Sequence, residues 1–230
     1  MGGFRFKQFE ILQDRCAMKV GTDGVLLGAW APGGKRILDV GTGTGLIALM
    51  LAQRFPGSSV VGIDIDGEAC RQADENVGKS PFADRVNIVH SRLQDYAPGG
   101  LFDAIVSNPP FFVNSLKNPD NKRAMARHTD SLPFRELWQG VKCLLSDDGV
   151  FSVVLPAEVV ENFTAEGCML GFYKIRSCAV KTVSRKAPKR YLLSFSRHRE
   201  NREEDTLETM MDKDGNRSEW YAKITDEFYL

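Results

Sequence analysis

Arg36-Ile-Leu-Asp-Val-Gly-Thr-Gly-Thr-Gly-Leu-Ile-Ala-Leu-Met-Leu-Ala-Gln-Arg54 is the stretch whose reading decides the fold. Its first five residues suit a buried strand, and from Leu46 the apolar spacing suits a helix running to about Phe55. Between them lies Asp39-Val-Gly-Thr-Gly-Thr-Gly45, where bare glycines let the backbone approach a ligand closely and the helix start offers unpaired N–H donors. The spacing is Gly-x-Gly-x-Gly rather than Gly-x-Gly-x-x-Gly, and no Lys-Ser or Lys-Thr follows within the loop. Neither a pyrophosphate nor a nucleoside triphosphate is therefore the expected ligand.

Outward from this loop, strand-like and helix-like stretches alternate. The run Ser59–Asp64 reads as a strand and residues 67–79 as a helix with Ala69, Ala73 and Val77 on one face. Val86–His90 and Phe102–Ser107 are two more strands, and Leu132–Leu145 is an amphipathic helix before the strand Val150–Leu155. Such alternation predicts right-handed crossovers and a parallel sheet. A helix around Ala157–Leu170 precedes two strand-like runs, Tyr173–Val183 and Tyr191–Arg197, joined by a turn-like interval and expected to pair antiparallel. The expectation is an α/β fold with seven strands, mostly parallel, helices on both faces and a C-terminal hairpin. Residues 200–217 read as a polar stretch with a turn at Asp214-Gly215-Asn216, and Ser218 as the cap of a short terminal helix.

Two features carry chemistry. Asp64 ends the strand that follows the glycine loop, 19 residues beyond Gly45, where a carboxylate can accept hydrogen bonds from both hydroxyls of a ribose. S-adenosylmethionine, with a ribose, a cationic sulfonium and no phosphate, is the cofactor that fits best. The second feature is Asn108-Pro109-Pro110-Phe111, directly after a strand. The Asn108 side-chain oxygen and the Pro109 carbonyl can each take one hydrogen of a planar amine, the prolines stiffen the turn, and Phe111 can stack on a base. Methyl transfer to an exocyclic nitrogen follows from the pair.

The 30 Lys and Arg residues cancel the 30 Asp and Glu, so binding of nucleic acid must rest on local charge. Residues 171–199 contain nine Lys or Arg and no acid, including Arg185, Lys186, Lys189 and Arg190 around the hairpin turn. Lys117, Lys122, Arg123 and Arg127 follow Phe111. Both groups suit phosphate contacts flanking an extruded base. The five cysteines, Cys16, Cys70, Cys143, Cys168 and Cys178, form no Cys-x-x-Cys pair and read as reduced, mostly buried hydrophobes. No metal is expected, since the histidines show no ligand spacing. The first residues lack the apolar stretch of a signal peptide, no run approaches a membrane span, and a cytoplasmic location is expected, with a monomer as the default.

These residues resemble the class I S-adenosylmethionine-dependent methyltransferases of the amino-methylating group, with their Rossmann-like fold and their Asn/Asp-Pro-Pro-aromatic hallmark. The opening Phe4-x-Phe6-x-x-Phe9-x-Ile11-x-Gln13, the run Met18–Gly28, the glycine loop with Leu46–Gln53, and the ending Ser218–Tyr229 narrow the likeness to the tRNA1(Val) (adenine37-N6)-methyltransferase family. The resemblance implies a tRNA substrate, methylated at N6 of adenine 37 in the anticodon loop. It implies cofactor contacts from Asp39, Gly41, Thr42, Gly43, Gly45, Asp64, Ile65, Leu93, Gln94 and Asn108, with Thr22 and Asp23 near the methionine end, and an adenine held by Asn108 to Phe111. It also divides the chain into residues 1–34 packed on the site, a methyltransferase domain over 35–199, and a C-terminal extension over 200–230.

Two positions depart from the pattern. Arg92 stands where many relatives carry an acid facing the cofactor's adenine, which passes that contact to the Leu93 backbone or Gln94. Phe111 replaces the commoner tyrosine, as in guanine-N2 rRNA methyltransferases. A guanine-N2, DNA-adenine or protein-glutamine methyltransferase uses the same loop, and a noncatalytic RNA-binding factor is the alternative of a different class.

Overall fold

The computed structural model describes residues 3–15, 19–110, 132–200 and 202–230. A short antiparallel pair, β1 (Phe4–Arg5) and β2 (Glu10–Ile11), leads to helix α1 (Thr22–Trp30). Then come β3 (Arg36–Val40), α2 (Leu46–Arg54), β4 (Ser59–Asp64), α3 (Gly67–Gly78), β5 (Val86–His90) and β6 (Phe102–Ser107). They are followed by α4 (Phe134–Leu144), β7 (Leu145–Pro156), a 3-10 turn (Ala157–Val159), α5 (Val160–Met169), β8 (Tyr173–Val183), β9 (Arg190–Ser196), β10 (Glu204–Met211) and α6 (Glu219–Thr225).

The main sheet has eight strands in the order β10-β8-β9-β7-β6-β3-β4-β5. Within it β9 runs antiparallel to both β7 and β8, and the other neighbours are parallel. Alternate side chains of each central strand enter opposite cores, the period-two rule of a pleated strand. Ile37, Ala104, Val106, Val154 and Leu192 join α1 and α2 on one face. Leu38, Ile105, Val153, Leu155 and Leu193 join α4 and α5 on the other.

The eighth strand corrects the expected seven. β10 has no apolar alternation; it joins β8 through a parallel backbone ladder, with Met210 against the core and charge pairs along its start: Lys174 meets Glu203 and Asp205 at 3.1 Å each, Arg176 meets Glu204 at 3.2 Å, and the Ser177 hydroxyl donates to Asp205 at 2.6 Å. Its register sets Glu204 opposite Arg176 and Asp205 opposite the Ser177 hydroxyl. β7 begins at Leu145 rather than Val150, because α4 stops at Leu144. The hairpin, the Asp212–Asn216 turn and the Ser218 cap on Tyr221 N–H at 3.1 Å form as read. Of the four described cysteines, Cys70 and Cys178 are buried while Cys143 and Cys168 are exposed on α4 and α5. Cys143 lies off the face that α4 buries through Leu137, Trp138, Val141 and Leu144.

Helix α1 lies close against α2 because Gly24 and Gly28 face it. A Cβ on Gly28 would come within 2.7 Å of Met50 Sδ, and one on Gly24 within 3.2 Å of Leu46 Cδ2. The contact at Gly24 sets the start of α1 beside the start of α2.

Trp138 anchors the second core. It is fully buried, its ring centroid lies between 4.9 and 5.2 Å from those of Phe151, Phe163, Phe172 and Phe195, and its indole N–H donates to Phe163 O at 3.0 Å. Trp138→Ala should cost about 3–5 kcal/mol in urea unfolding, through the cavity left among the four phenylalanine rings. A loss below about 1 kcal/mol would show that this core does not hold the sheet.

Candidate active site

The carboxyl ends of β4, β3, β6 and β7 lie side by side. Parallel pairing matches Val40 with Ile63 on one side and with Ser107 on the other, and Ser107 with Val153. Gly41, Asp64 and Asn108, each the next or last residue of its strand, therefore share one edge. The fully buried Ser107 hydroxyl ties two of the ends together, donating to Val40 O at 2.9 Å. Chain order reverses between β3 and β6, which makes this crevice the switch point at which open α/β sheets bind ligands.

The glycine loop is shaped by its backbone. Gly41, Gly43 and Gly45 have φ of 72°, 55° and 79°, a region that disfavours a side chain, and around Gly41 and Gly43 a Cβ would meet nothing within 4 Å. The Gly41 and Thr42 N–H groups donate to Ile63 O at 2.9 and 3.0 Å, and Gly43 N–H donates to Asp64 Oδ2 at 2.9 Å. Asp64 Oδ1 accepts the Asp66 N–H at 2.9 Å. Each carboxylate oxygen retains a further lone pair, so Asp64, only half-buried, can still receive ligand hydroxyls.

Asp39 stands beneath the loop, fully buried. Its Oδ2 accepts the Thr42 hydroxyl at 2.7 Å and the Ala48 N–H of α2 at 3.2 Å, while Oδ1 has no hydrogen-bond partner. Burial pushes its carboxyl up from an ordinary 3.8 to about 7, against the two hydrogen bonds and with help from the Asp64 charge. Two neighbouring acids, one with an unpaired oxygen, beside an open glycine loop suit a ligand carrying a cation and a ribose. The donor set fits S-adenosylmethionine and not a phosphate ligand. The chain does contain one Gly-Lys-Ser, Gly78-Lys79-Ser80, which the sequence reading overlooked, but it closes α3 instead of opening a helix and so makes no phosphate loop.

The other sequence-selected residues divide. Thr22 is exposed at the start of α1, and Asp23 accepts from Arg190 Nε at 2.6 Å. Arg190, read with the phosphate contacts, is thus engaged with a residue read with the cofactor. It pairs with Pro156 across the ladder, so the hairpin rises from the same edge as the glycine loop. Ile65 is exposed beside Asp64. Leu93 is buried against α4, where a Cβ on Gly140 would strike it, which leaves only its backbone for a ligand. The Gln94 amide donates to Glu136 of α4 and is committed there. Pro109 is buried, Asn108 half-buried and Pro110 exposed, while Phe111, Lys117, Lys122, Arg123 and Arg127 lie outside the described residues.

Sequence reading missed Ser107, Gln72 and Asn76. The signal for the last two was present: polar residues four apart in a helix, both beside the apolar line Ala69, Ala73 and Val77. Among the described residues no cluster of three or more His, Cys, Asp or Glu could hold a metal, and no helix is long and apolar enough to cross a membrane.

Residues 21–132 match the family described as Methyltransferase small domain. A protein of Bacteroides thetaiotaomicron named tRNA1(Val) (adenine(37)-N6)-methyltransferase is 46% identical, covering 99% of this chain and 97% of its own. One of the same name from Flavobacterium psychrophilum is 43% identical, covering 99% of both. Among solved structures, a predicted O-methyltransferase from Agrobacterium tumefaciens superposes with a TM-score of 0.69 at 16% identity, over 90% of this chain and 96% of the other. A glycopeptide N-methyltransferase complexed with (S)-adenosyl-L-methionine gives 0.57 at 13% identity, over 76% and 94%. Both share the fold.

Asp39 also sets a pH dependence. Below about pH 3.8 its carboxyl is protonated in the folded and unfolded states alike; between there and about 7 only the unfolded chain ionises, so the contribution to stability falls as pH rises. The stability of the ligand-free protein minus that of Asp39→Asn should therefore decline across this window, with a slope approaching about 1.4 kcal/mol per pH unit, and level off above it. Parallel curves from urea melts would contradict the assignment.

Proposed function

The chain belongs to the tRNA1(Val) (adenine(37)-N6)-methyltransferase family, and from that premise we propose that it methylates N6 of adenine 37 in the anticodon loop of tRNA1(Val). S-adenosylmethionine is the cofactor and supplies an electrophilic methyl group when bound. One observation carries the reading: the glycine loop and Asn108-Pro109-Pro110 end adjacent parallel strands in register, Val40 against Ser107.

In this reading Asp64 accepts the ribose hydroxyls, and Asp39 lies under the loop as the counter-charge to a cationic ligand. Ile65 offers an apolar surface and the Leu93 backbone its polar groups to the cofactor's adenine. Asn108 Oδ1 and the Pro109 carbonyl accept the two hydrogens of the substrate amine, turning its delocalised lone pair toward the methyl group. No strong base is needed, because the proton leaves after transfer. Orientation in a pocket closed to water is the main source of acceleration, a contribution of up to about 7–11 kcal/mol in favourable cases. Residues 35–199 carry this domain, with 1–34 a wall of the site and 200–230 an extension whose strand completes the sheet. A tRNA substrate gives the protein a cytoplasmic place of work.

Seven of the nine basic residues of 171–199 separate into two parts. Lys174 and Arg176 are neutralised by β10, Arg190 by Asp23, and Arg197 lies 3.8 Å from Asp147. Arg185, Lys186 and Lys189 form no ion pair among the described residues and are exposed on the hairpin at the site's edge. These three are the phosphate contacts, with Lys117, Lys122, Arg123 and Arg127 the further candidates beyond Phe111.

Comparing nucleosides of individual tRNAs from cells with and without the protein tests the activity. N6-methyladenosine should vanish from tRNA1(Val) alone; its persistence there, or loss of N2-methylguanosine from rRNA instead, would contradict the reading. Asn108→Ala should lower kcat roughly a hundredfold or more with cofactor affinity nearly intact. Asp64→Ala should weaken cofactor binding roughly tenfold to a hundredfold, and an unchanged calorimetric affinity would remove it from the ribose. Lys186→Glu with Lys189→Glu should weaken tRNA binding and flatten its salt dependence by about one unit of slope for each phosphate left without its lysine, whereas Lys174→Ala should leave both near wild type. Equal effects from the two would refute the division of the basic run.

A further inference from the structure

Asn76 lies on α3, outside every motif of the site, yet its side chain is buried and makes three hydrogen bonds. Its Oδ1 accepts the Leu12 N–H at 2.9 Å, and its Nδ2 donates to Leu12 O and to Thr44 O, each at 2.9 Å. All three partners are backbone groups. Two belong to the chain just after β2, and the third to the glycine loop between Gly43 and Gly45.

One turn earlier on α3, Gln72 is also buried, and its Oε1 accepts the Arg15 N–H at 3.2 Å. Gln13 Oε1 accepts the Val20 N–H at 2.8 Å, and Asp23 is held by Arg190 at 2.6 Å. The segment that leaves the aromatic cluster of Phe6 and Phe9 is thereby pinned successively at Leu12, Arg15, Val20 and Asp23. It ends where α1 starts beside α2, with Thr22 and Asp23 at the site's edge.

Packing alone does not explain an amide at position 76. Its neighbours along the buried face, Ala69, Ala73 and Val77, are apolar, and an apolar side chain there would avoid desolvating a carboxamide. What the amide adds is a match of two donors and one acceptor to the backbones of two segments that no secondary structure joins. A carboxylate could accept from Leu12 but would face two carbonyl oxygens.

We propose that Asn76 is a positioning residue for cofactor binding, holding Leu12 to Thr44 so that the amino-terminal segment forms a wall of the site above the glycine loop. The proposal rests on the reading of that loop as the S-adenosylmethionine site. Asn76 touches no reacting atom and acts through the backbone of the loop and of the segment. Its loss therefore falls on cofactor affinity more than on the chemical step at saturation.

Calorimetric titration with S-adenosylmethionine and steady-state kinetics on tRNA1(Val) test this with the full chain, at a temperature well below unfolding. Asn76→Ala should raise the cofactor Kd and KM roughly tenfold, as expected for a few buried hydrogen bonds, while kcat at saturating cofactor stays within about twofold. Leu12→Pro removes the N–H that Asn76 accepts and leaves Asn76 in place; it should shift affinity in the same direction, and the double variant should bind no more weakly than the weaker single one. Asn76→Asp should be at least as impaired as alanine. Wild-type affinity in Asn76→Ala with only a lowered Tm would overturn the proposal, as would wild-type affinity in Leu12→Pro should the alanine variant fail to fold. Wild-type protein that binds no cofactor would instead overturn the reading of the loop, and the proposal with it.

Discussion

The parallel pairing of β3 with β6 is the constraint on which the rest depends. Because Val40 lies opposite Ser107, the two strands end together, and the turns after them must open at the same edge. The turn after β3 leads to α2 on one face, while the chain after β6 continues toward α4 on the other, so a crevice forms between diverging paths. The Ser107 hydroxyl on Val40 O fixes that edge from within the sheet. A slip of one residue would turn every side chain of the strand to the opposite core, which both apolar layers resist.

The charges of the site belong to function more than to stability. An aspartate as buried as Asp39, with an unpaired oxygen and a carboxyl pushed up to about 7, is a cost to the free protein that Thr42 and Ala48 only partly offset. Asp64 adds to that cost through its own charge while tying Gly43 to β4. In the proposed reading a bound cation would relieve both. The basic surface is organised differently: strand β10 cancels the positive charge at the far end of the hairpin and leaves the turn, next to the crevice, uncancelled.

Local signals in the chain were dense where apolar pattern and turn residues agreed. Ser59–Asp64, Val86–His90, Phe102–Ser107 and Tyr173–Val183 form strands at the bounds read from the residues, and the glycine and Pro-Pro turns follow adjacent strands at one edge of the sheet. What stayed hidden depends on partners far away in sequence. β10 has a polar pattern and becomes a strand through its backbone ladder to β8, whose partners lie far away in sequence. Asn76 meets Leu12 across 64 positions, so its role is invisible until α3 is laid against β2. The acidity shift of Asp39 is likewise a property of burial, not of the residues beside it.

The most direct measurement is a crystal structure with S-adenosylhomocysteine and an anticodon stem-loop containing adenine 37. The account predicts the cofactor product on the Gly41–Gly45 loop with its ribose on Asp64 and its sulfur turned toward Asn108, and the flipped adenine with its amine on Asn108 and the Pro109 carbonyl. Cofactor bound elsewhere than that loop, or an adenine whose amine faces away from the sulfur, would contradict it.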